Sequence, residues 1–375
     1  MKPLAGIKVV ELARILAGPW CGQLLADLGA EVIKIERPGA GDDTRHWGPP
    51  FVGEGSDRSA AYFHATNRGK TSRSIDIATP EGQAAVRALV AGADVVIENY
   101  KVGGLAKYGL DHAALSAINP RLVTCSITGF GQTGPYKDRA GYDFIIQAMG
   151  GIMSLTGEPD GPPQKSGVAY ADIFTGVYSA VAILAALHQR DTAGHERYGH
   201  GAHIDMALLD TQVGVLANQA ANYFASGRAP SRMGNGHANL VPYQAFACAD
   251  GDLVIAVGND AQFARLCGVI GRGELADDVR FATNAGRVEH RADLIPELAH
   301  AIARQSKAAL YEALEAAGIP AGPINTVAEV FADAQVIARG MRIEPDGAAI
   351  AGLATPIVID GERMVSKGGA PGKGD

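Results

Sequence analysis

Over its first ~200 residues the chain alternates short apolar runs with helical patterns, and this alternation restricts the fold more than any other feature. Residues 7–11 form an apolar run. A loop through Arg14 and Pro19 leads into a helical pattern over residues 20–28, and residues 31–36 alternate as a strand does. Together they read as a β-α-β unit. Thr79 as cap, Pro80 at the first position and Glu81 in the first turn start another helix, which reaches Val90. Strand patterns follow at residues 95–97 and 122–127, the second running into the glycine-rich loop 128–135. The pattern predicts an α/β fold, a parallel sheet with helices on both faces.

Asp172 opens a long helical pattern through Val177, Ala180, Ile183, Leu184 and Leu187, and a second is expected over residues 206–225. The texture changes after Gly227, where Pro230, Gly234, Asn235, Gly236 and Pro242 punctuate a loop. A hairpin pattern follows (243–248 and 253–257, around Asp250-Gly251), then helices near 261–270, 291–304 and 307–317. Residues 319–324 read as a strand or linker returning to the first domain. The expected organisation is a large domain from residues 1–226, a smaller α+β domain over 227–325, and a segment 326–375 rejoining the first. The Gly- and Lys-rich tail, 367–375, is expected to be mobile.

Several functional classes drop out. A net charge of −7 and a pI near 5.8 disfavour nucleic acid and anionic membranes as partners. Cys21, Cys125, Cys248 and Cys267 are far apart and read as free thiols rather than a zinc or redox site. The N-terminus shows no apolar targeting region, and no run reads as the ~18 apolar residues of a membrane span, so a cytoplasmic protein is expected. Glu36 ends the second strand where a ribose-binding acid would sit, but Gly18 and Gly22 do not make a G-x-G-x-x-G. Gly69-Lys70-Thr71 resembles the end of a phosphate loop, yet His64 stands where that loop needs glycine. His188, His195, His200 and His203 lack a matching ligand pattern, so no metal site is expected.

Four segments carry a more specific signal. They are Ala17-Gly18-Pro19 with Val32-Ile33-Lys34-Ile35-Glu36-Arg37-Pro38 and Gly41-Asp42; Asn67-Arg68-Gly69-Lys70 with Val96-Ile97-Glu98-Asn99-Tyr100; Thr128-Gly129-Phe130-Gly131 through Gly134-Pro135 to Arg139-Ala140-Gly141-Tyr142-Asp143; and Ala171-Asp172-Ile173-Phe174-Thr175-Gly176. In this order the chain resembles the class III CoA-transferase family, which also contains acyl-CoA racemases. Within the family it looks closest to members using succinyl-CoA and a dicarboxylic acid.

The resemblance implies a large Rossmann-like domain, a smaller α+β domain and an interlocked homodimer. It makes Asp172 the nucleophile, forming an aspartyl anhydride and then an aspartyl-CoA thioester. An aspartate opening a helix also fits an N-cap, and the two roles are compatible, since a helix N-terminus stabilises a carboxylate and would keep it ionised at neutral pH. By the same resemblance Arg37, Ile75, Asn99, Tyr100, Lys107 and Arg139 line the CoA path. Gly234-Asn235-Gly236 is similar to a glycine loop over the active site and reads equally well as an ordinary turn. Leu16 stands where some members have glutamine, which removes a side-chain contact. Tyr142 occupies the place of a racemase histidine, and a phenol of pKa about 10 is a poor base, which favours transfer over 2-methylacyl-CoA racemisation. A non-catalytic CoA-binding module is the remaining alternative. Coenzyme A is substrate, with no tightly bound cofactor; because one thioester is exchanged for another, no ATP is required.

Overall fold

The computed structural model describes residues 2–55 and 58–374. Two compact units emerge: Met1–Ile152, Lys165–Leu216 and Asp333–Asp375 form the first, Met153–Gln164 and Ala217–Ala332 the second. Elements of the first are β1 (Lys8–Glu11), α1 (Ala17–Asp27), β2 (Glu31–Glu36), the short pair β3 (Phe51–Val52) and β4 (Ser59–Ala60), α2 (Ala61–His64), β5 (Lys70–Ser74), α3 (Pro80–Val90) and β6 (Val95–Glu98). After them come α4 (His112–Ile118), β7 (Val123–Thr128), α5 (Asp143–Met149), α6 (Ile152–Leu155, of which only Ile152 belongs to this unit), α7 (Tyr170–Asp191), β8 (Ala202–Ala207) and α8 (Leu208–Gly214).

Six strands pair in parallel in the order β5-β2-β1-β6-β7-β8. Strand alternation sends Val9, Val95, Ile97, Val123 and Cys125 to one face, where Cys21 and Leu25 of α1 and Ile183 and Leu187 of α7 cover them. Val10 and Val96 point to the other face, under Val86 and Val90 of α3 and Leu115 of α4. Both faces are therefore dry, as a parallel sheet requires. Helices α1 and α7 cross closely at Gly176, where a Cβ would lie 2.7 Å from the Ala17 carbonyl oxygen. The chain runs outward from β1 through β2 to β5, then resumes at β6 on the other side of β1. The loops after β1 and β6 thus flank the switch point where open α/β sheets bind ligands.

The second unit contains α9 (Ala217–Ser226), β9 (Tyr243–Cys248), β10 (Gly251–Ala256), α10 (Asp260–Val269), α11 (Glu274–Asp277), α12 (Asn284–Glu289), α13 (Arg291–Ile302), α14 (Lys307–Ala316) and β11 (Ala321–Pro323). Its antiparallel sheet, β11-β10-β9, packs on a core that includes Phe246, Leu253, Phe263, Leu294, Leu298 and Leu310.

Several expectations change. The units divide at 216/217 and 332/333 rather than 226/227 and 325/326, and residues 153–164 join the second unit. Helix does not run through 206–225: Met206 lies in β8, whose backbone pairs with β7, and helix resumes at Ala217, where φ is +43°. Residues 321–323 pair with β10 inside the second unit instead of returning to the first. The tail is docked. Arg45 donates to the Pro371 and Gly372 carbonyls (3.2 and 3.0 Å), and the Gly374 N–H donates to Ser72 Oγ (3.2 Å). Asp375, the last residue of that expected mobile tail, lies outside the described residues, as does Met1 at the N-terminus. Finally, α7 with its 22 residues is long and apolar enough to cross a membrane by length and composition, contrary to the reading of the sequence. Ala180, Ile183 and Leu187 on it are buried against the sheet and α1.

Candidate active site

Asp172 lies in the first turn of α7, whose N-cap position is Ala169 rather than an aspartate. The capping function comes from elsewhere: Asp143 Oδ1 accepts the N–H groups of Ala171 (2.9 Å) and Asp172 (3.3 Å), while its Oδ2 accepts from Gln147 Nε2 (2.7 Å). The cap reading of Asp172 is thereby corrected, and its carboxylate is left free of backbone duty. Its expected acidity is corrected too. Burial, and then the charge of Asp143, push Asp172 up to about 7.

A cleft of about 410 Å³ contains Asp172 and is bordered by the loops after β1, β6 and β7. Leu16, Asn99, Tyr100, Lys107, Arg139 and Tyr142 all line it, so six of the residues singled out in the sequence gather around the seventh. Arg37 and Ile75 line an adjoining cavity of about 250 Å³, which shares Arg14, Tyr100 and Tyr108 with the cleft. Gly234, Asn235 and Gly236 belong to the second unit, where the Gly234 N–H donates to the Gly157 carbonyl at 3.0 Å and φ is +56°.

The side chains differ in what they have to offer. Asn99 is committed to the backbone: it accepts from Arg14 N–H (3.0 Å) and donates to the Arg14 carbonyl (2.6 Å). Arg139 stacks 3.8 Å over Tyr136, and Lys107 sits 4.7 Å from the Tyr108 ring. Sequence reasoning missed Lys101, Lys137 and Arg14, which also line the cleft. No motif marks lysines in glycine-rich loops. Among the described residues Lys101, Lys107, Lys137 and Arg139 form no salt bridge, so four cations border the cleft without a carboxylate partner. Such an edge suits an anionic ligand. Tyr142 precedes α5 and is 57% exposed, its ring free to contact a ligand.

The misleading motifs have structural jobs. Glu36 is occupied by Arg45 (2.7 and 2.6 Å), Ser72 (2.6 Å) and the Asp42 N–H (2.7 Å), leaving no oxygen for a ribose. Lys70 turns inward to Glu11. His203 lies on β8 rather than in a loop and stacks on His112 with centroids 4.6 Å apart. Among the described residues no cluster of three His, Cys, Asp or Glu side chains could hold a metal.

Comparison with known proteins identifies the family. The sequence profile of CoA-transferase family III matches residues 4–375. The succinate–glutarate CoA-transferase of Agrobacterium fabrum is 58% identical over 362 residues, covering 95% of this chain and 89% of the relative. Human succinyl-CoA:glutarate CoA-transferase is 42% identical over 95% of this chain and 79% of its own length. Among solved structures, a CAIB/BAIF family protein of Brucella suis superposes with a TM-score of 0.87 at 59% identity, covering 99% of this chain and 96% of the other. Rv3272 of Mycobacterium tuberculosis does so with 0.87 at 32% identity, covering 100% and 97%. A parallel-sheet unit with a carboxylate at a helix start in a cation-edged cleft, a family profile matched over residues 4–375 and curated relatives covered to 79% or more of their length lead to one assignment: this chain belongs to CoA-transferase family III and is a CoA-transferase.

Proposed function

We propose that the protein moves coenzyme A from succinyl-CoA to a dicarboxylic acid, glutarate being the first acceptor to test, with Asp172 as nucleophile. The observation that carries the reading is the placement of an uncapped, elevated-pKa carboxylate inside a cleft edged by four cations without carboxylate partners. A carboxylate of pKa about 7 is more basic than an ordinary aspartate and still largely ionised at pH 7.5–8, which suits attack on a thioester.

One Asp172 oxygen attacks the succinyl carbonyl carbon, and collapse of the tetrahedral adduct expels CoA thiolate, leaving a mixed anhydride. The thiolate attacks the Asp172 carbonyl and expels succinate, giving an enzyme-CoA thioester. The acceptor carboxylate then attacks that thioester, releasing thiolate and forming a second anhydride. Attack of the thiolate on the acceptor's carbonyl yields the new acyl-CoA and regenerates Asp172. Each step exchanges one leaving group for one nucleophile, so no redox partner or nucleotide is consumed.

In this reading Arg37 and Ile75 take the nucleotide end of CoA, with Tyr100 at the shared boundary of the two cavities. Lys107 and Arg139 supply charge along the path, and Tyr142 contacts the acyl group. Asn99 acts indirectly, by holding Arg14. For Gly234-Asn235-Gly236 the proposal keeps the glycine-loop role that the family resemblance implies. A cytoplasmic homodimer belongs to the same proposal. The exposed apolar side chains of Phe144, Ile145 and Met149 on α5 and Val177, Tyr178 and Val181 on α7 support burial against a second copy.

The test is a panel of CoA donors and acceptor acids read by mass spectrometry. Transfer from succinyl-CoA to glutarate or a near homologue, together with no solvent deuterium uptake at the α-carbon of a 2-methylacyl-CoA, is expected. Rapid α-deuteration with no acceptor acid present would replace the proposal with racemisation.

A further inference from the structure

Ile15 has a backbone φ of +77°, a conformation a β-branched residue adopts only under constraint. It lies between Arg14 and Leu16 in the loop after β1, and all three line the cleft that contains Asp172. The constraint can be traced bond by bond. The Ile15 N–H donates to the two carboxylate oxygens of Asp42, at 3.3 and 3.2 Å. Asn99 holds both the N–H and the carbonyl of Arg14. Lys34 Nζ donates to the Ala13 carbonyl (2.8 Å), and Lys70 Nζ to the Pro19 carbonyl (2.8 Å).

Both lysines converge on Glu11, at 3.0 and 2.8 Å, and Lys34 also pairs with Asp42 at 2.8 Å. All four side chains are buried. Two carboxylates and two ammonium groups therefore form a cluster of balanced formal charge. Its outward hydrogen bonds reach backbone positions 13, 15 and 19, and also the N–H and hydroxyl of Thr44 (2.9 and 2.8 Å, to Asp42) and Asn67 Oδ1 (2.9 Å, from Lys70). Apolar side chains of similar volume stabilise a core at least as well as buried ion pairs. What they cannot supply is a directional hold on backbone amides and carbonyls.

We propose that Asp42 is a positioning residue for CoA transfer, acting through Ile15 to fix the Arg14-Ile15-Leu16 wall of the cleft relative to Asp172. The inference rests on reading Asp172 as the nucleophile. Ile15 and Leu16 bring no polar side chain to the cleft, so this part of the wall contributes shape, and shape depends on the backbone being held. Two carbonyl carbons, of the substrate and then of Asp172 itself, must be attacked in turn at one place, and a displacement of about 1 Å costs on the order of 100-fold in such a reaction.

Asp42→Ala removes the acceptor of the Ile15 N–H, while Ile15→Gly removes the reason the acceptor is needed, since glycine takes positive φ freely. With succinyl-CoA and glutarate, Asp42→Ala is expected to lower kcat by about 10–100-fold while KM for succinyl-CoA stays within about threefold. Adding Ile15→Gly to that variant should recover about tenfold or more of kcat. Circular dichroism establishes that each variant is folded at the assay temperature. A folded Asp42→Ala protein with kcat within about twofold of the parent, a loss confined to KM, or no recovery in the double variant would each overturn the proposal. If Asp42→Ala does not fold, Asp42→Asn, which keeps one acceptor oxygen and loses the charge facing Lys34, takes its place, and recovery of kcat by Ile15→Gly decides in the same way. Failure of the underlying reading has a different signature: Asp172→Ala would then keep its turnover, whatever Asp42 does.

Discussion

Two groups of carboxylates in the first unit are treated in opposite ways. Glu11, Asp27, Asp42 and Glu36 are the deeply buried ones, at 0%, 1%, 2% and 5% exposure. Burial would raise Asp42 and Glu36, but Lys34 beside the first and Arg45 beside the second, with added hydrogen bonds, outweigh it and hold both below the usual carboxylate range. Asp172 is only partly buried, yet burial and the Asp143 charge take it to about 7, with no cation offsetting them. Depth therefore does not decide which carboxylate is reactive; the sign of its neighbour does. A carboxylate wrapped by ammonium or guanidinium has its lone pairs engaged, whereas Asp172 keeps its own available.

The two kinds of carboxylate differ most at Asp172. Asp172→Ala is expected to lower kcat by on the order of 10³-fold or more while leaving the unfolding midpoint close to the parent's, because a nucleophile is lost and no structural bond with it. Transfer assays beside thermal melts check both halves. The opposite profile is expected of Glu11→Ala, which leaves buried Lys70 without a carboxylate partner and Lys34 with Asp42 alone. It should cost about 3–5 kcal/mol of stability, read by urea unfolding; a loss below about 1 kcal/mol would contradict the role given to the cluster.

A smaller effect sharpens the sign of the argument. Because the folded-state pKa of Asp172 lies above its unfolded value, near 4, its contribution to stability is full below pH ~4 and lost as pH rises through about 7. Asp172→Asn should therefore match the parent in stability near pH 4 and exceed it by roughly 1–2 kcal/mol at pH 8. Equal melting temperatures at both pH values would remove the elevated acidity constant from the account. Smallest is the effect of Asp143. For the parent, kcat/KM should climb along an acid limb centred near pH 7. Asp143→Asn keeps an oxygen to cap α7 but removes the like charge, so the limb should move to lower pH by less than about one unit. A limb that stays in place would mean burial alone sets it.

Much of this was legible in the sequence wherever the cause was local. Apolar runs near residues 9, 32, 95 and 123 became the central strands, and Thr79 with Pro80 marked the start of α3, whose Gly82 N–H donates to Thr79 Oγ1 at 3.1 Å. The motif around Asp172 placed it in the first turn of a helix. What stayed hidden were causes acting across the chain. Asp143 caps a helix 28 residues away, and Asp42 holds an amide 27 residues before it. β8 mixes Ile204 and Met206 with exposed His203 and Asp205, a weak alternation that reads partly as helix, and only pairing with β7 settles it. The tail reads as mobile by composition because glycines carry no packing signal, yet two of its carbonyls accept from Arg45.

Trapping shows whether Asp172 is the carboxylate that becomes covalently activated. The protein is incubated with succinyl-CoA and hydroxylamine during turnover, then digested and mapped by mass spectrometry. Conversion of the Asp172 side chain to a hydroxamate, dependent on succinyl-CoA and absent from Asp143, Glu11 and Asp42, is the predicted result. Sustained transfer with Asp172 unmodified, or with the hydroxamate on another residue, would contradict the account.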